Sequence, residues 1–294
     1  MRTQDLGELL MLAALWGASF LFMRIAVPAF GPIALVAVRL GIASVFLVGI
    51  LIFTGKLRKL GDHPGKLAIV GVLNTALPFV LLSYATLSMT AGFTSILNAT
   101  TPLWGALIAF VWVKERLTLA QVLGLLIGFV GVITLVWGKV SFSGNGTGPA
   151  IVAALLATCS YGVAASYTRK YLSGIDPLVI ATGSQLAGFI LLTPLAALYL
   201  PQHSIGLSSW LSVLVLGIAC TGVAYILFFR LVSRIGPSKT ITVTFLIPVF
   251  GMLWGYLFLQ EAVSGQMLAG AAVILAGTLL STGLIKPSWC NKPS

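Results

Sequence analysis

Ten apolar stretches, each about as long as a bilayer-crossing helix, follow one another with almost nothing between them. They run 6–27, 33–54, 67–88, 91–113, 118–137, 149–169, 177–199, 209–230, 238–259 and 265–285. At about 1.5 Å of rise per residue, roughly 20 residues cross a hydrocarbon core of about 30 Å. Only Met89 and Thr90 separate the third stretch from the fourth, so these two must be antiparallel neighbours. The longest connections are 55–66 and 138–148; the second, GKVSFSGNGTG, reads as a linker between halves. No stretch remains for a soluble domain. The chain is 59% hydrophobic and 8% charged, against roughly 25% charged in soluble domains. A soluble enzyme and a disordered chain are excluded, because so many apolar residues cannot all hide behind a polar skin. With 3 Cys, a disulfide scaffold is excluded too. Cys159 and Cys220 lie in apolar runs and Cys290 in the tail, and no pairing is implied. Residues 1–27 lack a small-residue cleavage site and read as a retained first span. The expected fold is an all-α integral membrane protein of ten transmembrane helices.

Charge supplies the topology. The chain holds 17 Lys and Arg against 6 Asp and Glu, a net charge of +11. In a soluble protein this excess would suggest nucleic acid. In a membrane protein it belongs to cytoplasmic loops, so lipid is the expected macroscopic partner and nucleic acid is not. With the N-terminus inside, cytoplasmic segments hold Arg2, Lys56, Arg58, Lys59, Lys66, Lys114, Arg116, Arg169, Lys170, Arg230, Arg234, Lys239, Lys286 and Lys292. The outer loops hold Lys139 alone, and Arg24 and Arg39 lie within spans. One helix more or fewer would scramble this split, so both termini are expected in the cytoplasm.

The chain also repeats itself. Residues 94–131 align with 240–277 at an offset of 146, with identities at Thr94/Thr240, Pro102/Pro248, Gly105/Gly251, Leu107/Leu253, Glu115/Glu261, Gly124/Gly270 and Gly131/Gly277. Upstream, an offset of 145 matches Gly17/Gly162, Arg24/Arg169 and Pro32/Pro177. We expect two domains, 1–140 and 141–294, of five spans each. Five is odd, so the second copy enters from the opposite face. Inverted repeats around a central cavity suit alternating access, because swapping the two halves' conformations moves the opening across the membrane.

The stretch PLWGALIAFVWVKERLTLAQVLGLLIGFVGVITLV and its partner PVFGMLWGYLFLQEAVSGQMLAGAAVILAGTLL resemble the paired EamA-type domains of the drug/metabolite transporter superfamily. LWGASFLFMRIA and PIALVAVRL resemble the start of that domain. The resemblance covers nearly the whole chain. It implies a ten-helix transporter whose cavity is lined by the first, third and fourth helices of each repeat. It also implies a bacterial inner-membrane exporter of small metabolites, most readily amino acids, perhaps apolar or aromatic ones. A proton-coupled drug or metabolite antiporter is the alternative, and a non-transporting receptor or scaffold is the alternative from another class.

No acidic residue lies mid-span: Asp5, Glu8, Asp62, Glu115, Asp176 and Glu261 sit at ends or in loops. This argues against a buried carboxylate that binds cationic drugs. Arg24 is about one turn from the outer end of its helix and can snorkel. Arg39 lies about two turns into the second helix. Either it is a counter-charge for a substrate carboxylate, or it holds carbonyls or Glu261 at the outer face. We expect the structural role, with the second helix at the periphery. Glu115 and Glu261 precede the expected N-caps Thr118 and Ser264 by three residues, where a carboxylate favours the next helix's positive end.

Thr94, Asn98 and Thr101 share one face of the fourth helix at i, i+4, i+7. Thr240, Thr244 and Ile247 are their counterparts in the ninth. Asn74 and Thr75 in the third helix pair with Cys220 and Thr221 in the eighth, and Trp16 pairs with Tyr161. Such groups can bind a zwitterion without full charges, or simply join helices. Trp16, Phe20, Phe79, Trp104 and Tyr225 could stack on a substrate; Trp112, Trp137 and Trp254 read as interfacial or packing residues. Gly124–Gly128 and Gly251–Gly255 match GxxxG, expected to pack inside the bundle more than to dimerise. A monomer or weak homodimer follows. Pro78, Pro102 and Pro248 can free carbonyls and hinge their helices. His63 and His203 fall on opposite membrane sides and cannot share a metal, and nothing calls for a cofactor.

Overall fold

The computed structural model describes residues 2–141, 147–201 and 203–283. Cys290, Lys286, Lys292, the C-terminus and residues 142–146 of the expected linker lie outside them. Ten long apolar helices are described: α1 (Thr3–Phe30), α2 (Pro32–Phe53), α3 (Pro64–Ser88), α4 (Ala91–Val113), α5 (Leu119–Val136), α6 (Gly148–Tyr171), α7 (Pro177–Leu198), α8 (Leu207–Ile235), α9 (Val243–Leu259) and α10 (Gly265–Ser281). The first eight are long enough to span a bilayer alone. At 17 residues, α9 is shorter than the sequence suggests. Its expected start at 238 falls instead in a separate turn, Pro237–Thr240. The cause is local: Thr240, Thr242 and Thr244 each donate their hydroxyl to a carbonyl three or four residues back. Such bonds compete with a regular helix, and the run from Thr240 to Thr244 is β-branched throughout.

The packing respects the exchange of halves. α1 lies against α8 and α9, while α6 lies against α3 and α4. α2 packs on α7, α4 on α9 and α5 on α10. Replacing each helix by the one five places along turns this list into itself. Lipid offers no hydrophobic drive to join helices, so close van der Waals contact between small residues must do it. A Cβ on Gly277 would overlap the backbone of Gly128, and one on Gly131 would sit 2.6 Å from the Ile274 nitrogen. Gly124 faces α10 in the same way, whereas Gly251 meets Ser95 and Gly255 meets Glu261. Both GxxxG pairs are therefore used inside the chain. Val45, Leu126, Val130, Ile133 and Ile190 point outward as an apolar surface for acyl chains.

The charges gather at the two ends of the bundle. At one end Arg230 and Arg234 hold Glu8, Arg234 also reaches Asp5, Arg169 pairs with Glu115, and Lys56 lies 2.6 Å from Asp176. Asp176 also caps α7 by accepting from the Leu178 N–H at 2.9 Å. Its burial alone would raise its pKa; the hydrogen bonds from Lys56 and Leu178 and the nearby lysines outweigh that and hold it below the ordinary value. A depressed folded pKa means this anchor stabilises above the unfolded carboxyl's pKa and is lost only as pH falls into the acid range.

At the other end Arg24 donates to the carbonyls of Thr86 and Leu87 and lies 4.0 Å from Glu261. Lys114 and Gln260, related by the offset of 146, both adopt positive φ, 59° and 53°. Each ends its helix with a left-handed turn, and the following glutamate's N–H reaches six residues back, Glu115 to Ala109 and Glu261 to Gly255. Thr118 and Ser264 cap α5 and α10 as expected. The glutamates do not serve those helices. Glu261 accepts from the N–H groups of Ala91 and Gly92, at 3.0 and 3.4 Å, in the first turn of α4, and Glu115 goes to Arg169. The left-handed turn throws each side chain across to the other half.

Candidate functional site

Three described helices carry π-wound segments, Ala109–Val113 of α4 among them, and the other two fall at corresponding places in the two halves. Gly71–Ala76 of α3 and Ile218–Val223 of α8 are wound as π-helix. In α3 the Leu77 N–H reaches Val72, and in α8 the Ala224 N–H reaches Ala219, five residues back in each. Such bulges cost hydrogen-bond geometry and recur at functional sites. Pro78 lies just beyond the first one and, lacking an N–H, cannot bond the carbonyl of Asn74. The bulges carry the Asn74–Thr75 and Cys220–Thr221 pairs singled out by sequence. The Thr75 hydroxyl donates to Gly71, and that of Thr221 donates to Leu216. Cys159 and Cys220 are free thiols.

Around these bulges the structure collects a polar cluster between α2, α3, α6, α7 and α8. Arg39 is its charge. Its Nε donates to Thr221 Oγ1 at 3.1 Å, a second nitrogen meets Met23 Sδ at 3.8 Å, and the guanidinium lies 3.9 Å from the centre of the Phe79 ring. Tyr161, Tyr225 and Cys220 lie within its electrostatic reach. The Asn74 amide donates to the Tyr225 hydroxyl at 3.2 Å. Arg39 is only 4% exposed and makes no ion pair with any described residue. The expectation that it holds carbonyls or Glu261 at a helix end is thus not met; Arg24 does both. α2 packs on α7 and presents Arg39 to the α8 bulge.

Asn74, Tyr161 and Tyr225 are half-buried. Gln185 of α7 joins them. It is completely buried, approaches the Tyr225 hydroxyl, and leaves both amide atoms without a hydrogen bond. Sequence reading missed it. The available signal was a lone amide eight residues past the start of an apolar helix, uncharged and outside the threonine stripe.

The other expected residues lie apart from this cluster. Trp16 packs on Phe228 with ring centres 5.5 Å apart, and Phe20 is buried in the main core. Trp104 packs edge-on against Phe129, with its indole nitrogen buried and unpaired. The threonine stripe is committed to its own backbone: Thr94 donates to Thr90, Thr101 to Asn98, Thr240 to Gly236 and Thr244 to Ile241. The Thr101 hydroxyl fills the carbonyl that Pro102 leaves without an N–H partner. Asn98 differs, since its Oδ1 is buried with no partner. Pro248 lies inside α9. A separate cavity of about 240 Å³ opens beside Glu261, lined by Met89, Thr90, Phe93 and Lys139 among others.

Three comparisons bear on this arrangement. The sequence profile of the EamA-like transporter family matches residues 6–137 and again residues 148–283. A transporter of Archaeoglobus fulgidus, named as uncharacterized, is 26% identical over 89% of this chain and 92% of its own. A probable terminal-alkyne amino-acid exporter of Streptantibioticus cattleyicolor is 25% identical over 90% of this chain and 89% of its own. One crystal structure superposes with a TM-score of 0.69 at 20% identity, covering 98% of this chain and 100% of that one, and so shares the fold.

Proposed function

The chain belongs to the EamA-like transporter family, and from that premise we propose that it exports small metabolites, most readily apolar or aromatic amino acids, by alternating access between two inverted five-helix repeats. The carrying observation is Arg39: a buried guanidinium with no carboxylate to neutralise it. An unpaired charge at membrane depth is expensive and marks a substrate or ion path. Every acidic side chain of the chain sits at a helix end or in a loop, so the missing anion must come from outside. A substrate carboxylate answers this, and bidentate pairing suits the guanidinium's planar fork. The same positive field repels lipophilic cations, which speaks against drug-cation export. That the Streptantibioticus relative is named an amino-acid exporter supports the same class.

The proposal places the protein in a bacterial inner membrane, both termini cytoplasmic, as a monomer or weak homodimer. The basic end of the bundle is then the cytoplasmic one. Lys59→Cys and Ser173→Cys, both exposed there, should resist an impermeant thiol reagent in intact cells; labelling of either would reverse the orientation. The function is tested by counterflow in proteoliposomes with a panel of labelled amino acids. At least one apolar or aromatic member should exchange, and Arg39→Gln should abolish exchange while the protein still reaches the membrane. No flux for any member, with flux of lipophilic cations instead, would overturn the assignment.

A further inference from the structure

Gln185 carries more than its neighbours do. A buried amide with no hydrogen bond loses the hydration of both its polar atoms, and native structures rarely leave such groups without a reason. Gln185 leaves two. Its place gives the reason. α2 and α7 begin at opposite ends of the bundle, Arg39 lying about 10 Å along one and Gln185 about 12 Å along the other at helical rise. Both therefore approach the bilayer midplane, one from each side. The Tyr225 hydroxyl, which accepts from Asn74 at 3.2 Å, lies beside the Gln185 amide. The Phe79 ring lies against the Arg39 guanidinium.

Resting on the amino-acid reading above, we infer that Gln185 is the specificity determinant for the substrate's α-ammonium group, with the carboxylate held at Arg39. The amide's Oε1 accepts from the ammonium, and the Tyr225 face and hydroxyl complete its surroundings. No side chain of the cluster carries a negative charge, so the ammonium is read by a neutral acceptor and by aromatic faces. That choice matters. A carboxylate at this position would offset the Arg39 field and weaken its pull on a substrate carboxylate. A neutral amide leaves Arg39 free and still penalises a substrate without an N–H donor, since the amide then stays unpaired. The substrate class is narrowed to monocarboxylates bearing an α-amino group, ahead of simple carboxylic acids of the same shape.

The test uses three matched probes on the purified, detergent-solubilised protein, with equilibrium binding read by calorimetry. They are L-phenylalanine, 3-phenylpropanoate, which lacks the ammonium, and L-phenylalaninamide, which lacks the carboxylate. The native protein should bind L-phenylalanine about tenfold or more tighter than 3-phenylpropanoate, as expected for a hydrogen bond to a charged group, and the amide more weakly still. In Gln185→Met, which keeps the side-chain length, L-phenylalanine should weaken to the level of 3-phenylpropanoate. Affinity for 3-phenylpropanoate should hold, which shows that the fold and the Arg39 arm are intact; Gln185→Leu repeats the test if the Met variant cannot be purified. An unchanged ratio between the two probes in either variant would overturn the role of Gln185. If Arg39→Gln abolishes binding of both acids while that ratio persists in the Gln185 variants, the amino-acid reading stands and the inference about Gln185 falls alone. If the native protein binds neither acid, both fall.

Discussion

A polar atom that makes no bond inside the protein is a cheap one to remove. Asn98 Oδ1 is buried and unpaired, so Asn98→Ala deletes a desolvated acceptor and breaks no internal hydrogen bond. Its stability should change little, and melting of the solubilised protein checks that. If Asn98 meets a charged group of the substrate in another state of the cycle, its loss should cost about 1.5–3 kcal/mol, roughly 10–150-fold in affinity. Transport at low substrate should then fall while abundance holds. Normal transport, or loss of the protein from the membrane, would make Asn98 a packing residue. The threonines beside it show why a polar stripe misleads. Thr94, Thr101, Thr240 and Thr244 have the spacing of a lined cavity, but each spends its hydroxyl proton on its own helix, and no pattern of residue types reveals that commitment. Arg39 shows the same limit: depth along a helix is legible, but its partners, Thr221, Met23 and Phe79, depend on the neighbouring helices.

Among elements, the glycines of α5 and α10 set the tightest joint. Gly277 leaves no room for a Cβ against Gly128, and the Gly124 carbonyl oxygen would be 2.7 Å away. Gly277→Val should force the helices apart and cost folded, monodisperse protein on fluorescence-detected size exclusion. Gly49→Ala is the control, since a Cβ there meets nothing within 4 Å and alanine favours the helix. A monodisperse Gly277→Val with unchanged melting would show that the joint can open without penalty. These contacts were half legible. GxxxG spacing marked Gly124 and Gly128, and the repeat offset marked Gly131 with Gly277. That Gly251 would meet Ser95, and Gly255 a glutamate from beyond its own helix, needed the fold. The π-wound segments were not legible at all, because Ile218–Val223 contains no proline and reads as ordinary helix. Their signature is a backbone reaching five residues back.

At the scale of the whole molecule, charge sits at the ends and one cation sits within. Each end joins the halves through a repeat-related ion pair, Arg24 with Glu261 and Arg169 with Glu115. The sequence displayed both partners of both pairs at fixed offsets, but the left-handed turns at Lys114 and Gln260 that aim the glutamates across the bundle were hidden. The two pairs differ in their surroundings. The Glu261 side chain is 11% exposed and that of Glu115 is 39%, and Glu261 also holds the first turn of α4. Glu261 is therefore the more buried and the more fully bonded of the two. Neither glutamate lies where a proton could be exchanged for substrate at mid-depth. Proton antiport normally runs through a titrating group inside the membrane, and this chain offers no carboxylate or histidine there. Net flux should accordingly follow the substrate's own gradient. In proteoliposomes preloaded with a transported amino acid, efflux should stop at equal concentrations, and an imposed pH gradient should not drive it further. Accumulation against the gradient, driven by pH and abolished by Glu115→Gln or Glu261→Gln, would instead make the end-face glutamates the coupling groups and the gates proton-operated.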